Sequence, residues 1–147
     1  MIADLKYIYF VKFYSKFRFM NSIITHGIQI SVQTRYYAPQ SSPKSNHYFF
    51  VYEVTITNKS DYTVKLLSRH WDIVDGHGEM REVDGEGVIG ETPSLEPGEV
   101  FSYNSGCDFS TEIGKMSGYY TMLKLVDKTE FKVQIPEFIM VLPAKLN

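Results

Sequence analysis

The chain carries a single cysteine, Cys107, in 147 residues. One thiol excludes an intrachain disulfide framework, offers no zinc-type Cys/His pair, and reads as a protein of the reducing cytoplasm. Long apolar runs are also lacking. The longest near the start, Tyr7 to Val11, falls far short of the ~18 residues that a spanning helix needs, so no membrane insertion is expected. There is no basic excess either: 15 Lys and Arg against 17 Asp and Glu give a formal charge of −2, whereas a nucleic-acid binder needs a dense basic surface. G-x-S-x-G, the P-loop and H-E-x-x-H are all absent. From residue 23 onward a sustained helical period is missing as well.

Aromatic residues make up 15% of the chain, with 11 Tyr and 10 Phe, and such residues favour half-buried pleated surfaces. The length suits one domain, able to bury about two-thirds of its unfolded surface without a metal or disulfide. The first nineteen residues stand apart. Four of the 15 basic residues and one of the 17 acidic ones lie there, leaving the remainder with a net charge of −5. We expect a poorly ordered extension over 1–19, with Met20 as the natural start and a domain over 20–147. A basic, aromatic segment resting on a membrane surface is the competing reading.

A period of two runs through the rest. "GIQISVQT" puts Ile28, Ile30 and Val32 on one side, and "HYFFVYEVTITN" does the same for Phe50, Tyr52, Val54 and Ile56. "YYAPQSSPKSN" between them reads as a loop. "TVKLLSRHWDIVD" groups Leu67, Trp71 and Ile73, with Arg69 in line, against Leu66, Ser68, His70 and Asp72. "SGYYTMLKLV" and "TEFKVQI" form a hairpin across Asp127-Lys128, and Pro136 interrupts before a final strand, "EFIMVL". Seven to eight short strands with turns every 8–12 residues predict an all-β chain. The architecture expected is an immunoglobulin/fibronectin type III-like antiparallel β-sandwich, with a small barrel as the alternative.

Gly85-Glu86-Gly87-Val88-Ile89-Gly90 fits G-x-G-x-x-G, the dinucleotide fingerprint. That motif works only where a strand ends and a helix begins, because the helix N-terminus faces the pyrophosphate. Here Pro93, Pro97 and Gly98 forbid a helix, and Glu86 and Glu91 add negative charge. The fingerprint fails on context. The glycines then serve positive φ or close backbone approach, or, as an alternative, a helix-free anion nest.

Three blocks, "LLSRHWDIVDGHGEMREVDGEGVIGETPSLEPGEVFSYNSGC" (66–107), "GKMSGYYTM" (114–122) and "FKVQIPEFIMVLP" (131–143), together resemble the ApaG family over residues 23–145. The resemblance implies a fibronectin type III-like domain in a small cytoplasmic protein associated with cobalt resistance and magnesium/cobalt efflux. Related domains look like interaction modules, and no catalytic residues come with the family. Residues 1–19 have no counterpart.

Arg69, His70 and Trp71 are the candidate partner- or ligand-binding residues, since Trp and Arg are enriched at interface hot spots; Gly85, Gly87 and Gly90 join them for an anion. Asp72, Asp75 and His77, with Glu79, are weak metal candidates whose spacing fits no calcium loop and reads first as a polar turn. Cys107 has no base nearby in sequence and reads as a core residue. The expectation is a non-catalytic interaction or accessory domain, needing no cofactor, with a protein partner, and with a homodimer left open. The alternative is a sensor of a pyrophosphate-like anion or a divalent metal.

Overall fold

The period of two becomes two facing sheets. The computed structural model describes Ile2–Asp4 and residues 20–143. In chain order the strands are β1 (Ile2–Asp4), β2 (Met20–Thr25), β3 (Ile28–Tyr36), β4 (Tyr48–Asn58), β5 (Val64–Asp75), β6 (Met80–Glu86), β7 (Ser94–Leu95), β8 (Val100–Phe109), β9 (Ile113–Lys124) and β10 (Thr129–Val141). One sheet runs β1-β8-β4-β3-β2; the other runs β10-β9-β5-β6, with β7 continuing along β5. Among the described residues all pairings are antiparallel, and neither sheet closes into a barrel. The expected sandwich stands.

The strand count exceeds seven or eight because short pieces pair too. β2 and β3 form a hairpin across His26 and Gly27, whose φ values of 49° and 79° suit a tight two-residue connection. The backbone of Ile2–Asp4 pairs with Cys107, Gly106 and Ser105 of β8. Residues 5–19 lie outside the described residues, and so does the expectation of disorder for them.

The core fills from both inner faces. Ile28, Ile30, Val32, Phe50, Tyr52, Val54 and Ile56 come from one sheet; Trp71, Ile73, Met116, Tyr120, Met122, Val133, Ile135, Phe138 and Met140 come from the other. Trp71 sits at the centre, with ring centroids 5.5 Å from Tyr52 and 5.9 Å from Phe138, both edge-on. Edge-to-face geometry is the arrangement that aromatic quadrupoles favour.

Two register shifts correct the alternation expected. In β5 the pairing with β9 slips between Leu66 and Ser68, so Leu66 is buried while Leu67 is not. Leu66, not Leu67, therefore joins Trp71 and Ile73 inside, because one extra residue in a bulge reverses the phase. In β10 a shift between Ile135 and Phe138 absorbs Pro136. The interrupted pair of strands is thus one 13-residue edge strand with Val133 and Ile135 buried before the shift and Phe138 and Met140 after it. Proline is tolerated at such a place because an edge bulge demands no ladder N–H.

Candidate functional site

The Arg69–Trp71 triplet is split by the strand it lies on. Trp71 is 1% exposed and belongs to the core. Arg69 turns the same way as Trp71, and its Nη1 donates to the carbonyls of Glu86 (3.0 Å) and Gly87 (2.8 Å). Only His70 faces outward, on the outer surface of the β10-β9-β5-β6 sheet. Its ring stacks on Tyr119 at 4.8 Å and 21°, and Lys132 Nζ lies 4.2 Å from the centre of the Tyr119 ring.

The glycine segment is an excursion from a strand. β6 and β7 both pair with the same side of β5, end to end, and residues 87–93 leave the ladder between them. Gly87 N–H donates to Leu67 O at 2.8 Å, and Leu66 N–H to Pro93 O at 2.9 Å, which pins both ends of the excursion at the β5 bulge. Val88 and Glu91 then exchange two backbone hydrogen bonds, 2.8 and 2.9 Å, around a two-residue turn. Its central residues, Ile89 and Gly90, have φ of 46° and 75°. Two positive φ values mark a type I′ turn, for which glycine is natural and a β-branched residue is not. At Gly87 a β-carbon would lie 2.2 Å from Glu91 O, so that position needs glycine for space as well as for its φ of 59°. The amides of Gly87, Val88 and Glu91 are thus spent on carbonyls, and the carbonyls of Glu86 and Gly87 on Arg69.

Of the weak metal candidates, Asp75 and His77 stay in their own turn: Asp75 Oδ1 accepts from the backbone N–H of His77 (2.8 Å) and Glu79 (3.0 Å). Asp72 is brought instead to His70 Nε2, at 3.2 Å, and to Glu82, its register partner on β6. Asp84 Oδ1 lies 2.7 Å from His70 Nδ1. Hydrogen bonding to Asp84 raises the His70 pKa above its ordinary value, against burial, with Asp72 adding to the rise. Sequence spacing could not find Glu82 or Asp84. Their alternation in "MREVDGE" shows only that they share a face, and the β5–β6 register decides what they meet.

Cys107 is fully buried, with Arg81 Nη2 3.2 Å from its sulfur and 2.6 Å from Asp108 O. Burial pushes the thiol up, and the Arg81 charge offsets this only in part. Inside the sandwich the hydroxyls of Tyr103 and Tyr120 bond to each other, and burial raises the pKa of Tyr120 and of Tyr52.

A family model described as the ApaG domain matches residues 38–124. The chain belongs to the ApaG family. It is 48% identical over 114 residues to Protein ApaG of Methylobacterium radiotolerans, covering 78% of this chain and 87% of that protein. It is 44% identical over 124 residues to Protein ApaG of Brucella canis, covering 84% and 95%. A crystal structure of a Bordetella pertussis protein described as ApaA superposes with a TM-score of 0.77 at 42% identity, covering 79% of this chain and 94% of that one. The ApaG sandwich extends beyond the matched segment through β2, β3 and β10. Among the described residues, no helix is long and apolar enough to cross a membrane.

Proposed function

We propose that this ApaG-family chain is a non-catalytic accessory module that docks a protein partner on the outer face of the β10-β9-β5-β6 sheet. The observation that supports this most is a cross-strand row on that face. Ile139, Lys115, Val74 and Met80 are neighbours in register across all four strands. Met80 is 70% exposed and Ile139 51%, with Ile113 at 45% beside them. Lys115 is held by Glu137 at 3.2 Å. Exposed apolar side chains interrupted by the Lys115–Glu137 ion pair, on the same sheet face as His70 stacked on Tyr119, offer the mixed apolar and charged chemistry of a docking surface.

The finer reading, a part in cobalt resistance and magnesium/cobalt efflux, follows from the family resemblance, and the docking face is where such a role would be exerted. The alternative, a pyrophosphate-like anion on Gly85–Gly90, would meet a segment whose Gly87 and Val88 amides already bond backbone carbonyls and whose Arg69 already holds two carbonyls.

The test uses Met80→Asp and Ile139→Asp together, both at exposed positions where the fold tolerates change. Affinity capture from the source organism should recover a discrete partner with the native chain and lose it with the double variant. Replacing the gene by the double variant should then lower growth under cobalt at unchanged protein level. A partner retained by the folded double variant sinks the docking reading; a doubled mass in light scattering would make the partner a second copy.

A further inference from the structure

Both nitrogens of the His70 ring face carboxylates: Nδ1 is 2.7 Å from Asp84 Oδ1, and Nε2 is 3.2 Å from Asp72 Oδ1. A neutral imidazole has one N–H and one lone pair, and a carboxylate only accepts. One nitrogen therefore meets a carboxylate lone pair to lone pair unless a cation stands between them. A proton is one such cation. The shorter contact places the ring N–H on Nδ1, toward Asp84, and leaves Nε2 facing Asp72.

Glu82 completes the arrangement. Ligand atoms of His70, Asp72 and Glu82 all lie within 4.8 Å of one another. A metal bound to nitrogen at about 2.0 Å and to oxygen at about 2.1 Å holds its ligands roughly 3.4 Å apart in a tetrahedron. The exposed Glu82 side chain can close that gap by a rotamer change. His70 cannot swing away, because it is 15% exposed and stacked on Tyr119. The Asp84–His70 hydrogen bond is the orienting contact that metal-bound histidines have, fixing the tautomer and raising the basicity of the ligating nitrogen.

We propose that His70 Nε2, Asp72 and Glu82 form a surface site for a borderline divalent transition ion of the Zn²⁺ class, with Asp84 as the positioning residue. One imidazole and two carboxylates suit such an ion, whereas Mg²⁺ and Ca²⁺ take oxygen sets. Three protein ligands on an outer sheet face leave the remaining position to water. The site is built from β5 and β6 alone and does not depend on the docking row.

The experiment is an NMR titration of the untagged, chelator-stripped full chain with Zn²⁺ at neutral pH, following the histidine ring C–H signals. Saturable one-to-one binding with His70 shifting first is expected. Glu82→Gln changes an exposed side chain and should weaken binding about tenfold or more, as should His70→Gln, while His77→Gln should change nothing. Millimolar Mg²⁺ should not displace the Zn²⁺. Absence of a saturable His70 shift, affinity unchanged in both Glu82→Gln and His70→Gln, loss of binding in His77→Gln, or displacement by Mg²⁺ would each overturn the proposal.

Discussion

The guanidinium of Arg69 occupies the space a side chain at residue 85 would need: its Cζ lies 2.6 Å from where a β-carbon on Gly85 would stand. The glycine is small so that Arg69 can reach the carbonyls of Glu86 and Gly87.

A rank order of glycine variants follows. Gly85→Ala meets the far end of a flexible side chain and displaces charge-assisted hydrogen bonds, at a cost of about 1–2 kcal/mol. Gly87→Ala meets the Glu91 carbonyl at 2.2 Å, and its φ is 59°. Backbone cannot yield as a side chain can, so about 3 kcal/mol or more is expected. Urea denaturation of both variants checks the order, and equal losses would show that Arg69 is as immovable as the backbone.

Ile89 is the misfit of the type I′ turn, yet it also packs against the core. Ile89→Ala loses packing and keeps the left-handed strain. Ile89→Asn loses similar packing but accepts positive φ, which relieves about 1 kcal/mol. The Asn variant should therefore be the more stable of the two by about that amount, read as a difference in denaturation midpoint. The reverse order would mean that the turn is unstrained.

His70 makes stability depend on pH. Its folded pKa is raised by Asp84 and Asp72, so the contribution is complete below the unfolded value of about 6.5 and disappears as pH rises through the folded value. In buffer with chelator, the native chain should lose stability relative to His70→Gln as pH climbs from about 6 through the folded pKa. Parallel curves would contradict this, and a ring-proton titration gives the folded pKa directly.

Tyr103 and Tyr120 share a buried hydroxyl pair. Either single Tyr→Phe change should cost about 1–2 kcal/mol by removing one member of a buried bond. The double change should cost less than the two summed, because replacing both partners by apolar groups restores consistency. A strictly additive cycle would show that the hydroxyls are not coupled.

Alternation in β3 and β4 made the core-facing sets Ile28, Ile30, Val32 and Phe50, Tyr52, Val54, Ile56 legible from the chain alone, because successive residues of a regular strand point to opposite faces. The same rule misplaced Leu67, since a bulge reverses phase without leaving a compositional mark. Pro136 was visible as an interruption, but only the register showed that β10 continues past it. At the site, Arg69, His70 and Trp71 were singled out as a cluster, and the pleat then sent His70 to one surface and its neighbours to the other. Glu82 and Asp84 were out of reach because contacts across strands depend on register, which spacing along one strand does not encode.

Along one side of β5, residues 87–93 stand opposite only Leu66 and Leu67, with β6 and β7 in register before and after. Ladder alignment and chain length are therefore uncoupled at this single point. A residue gained or lost within β6 would slide every side chain beyond it to the wrong surface. The same change between Gly87 and Pro93 would be taken up in the bow of the excursion, and β7 would still land on Val64 and Lys65. The segment works as an expansion joint, and a sandwich of this design can change size there without changing its pairing.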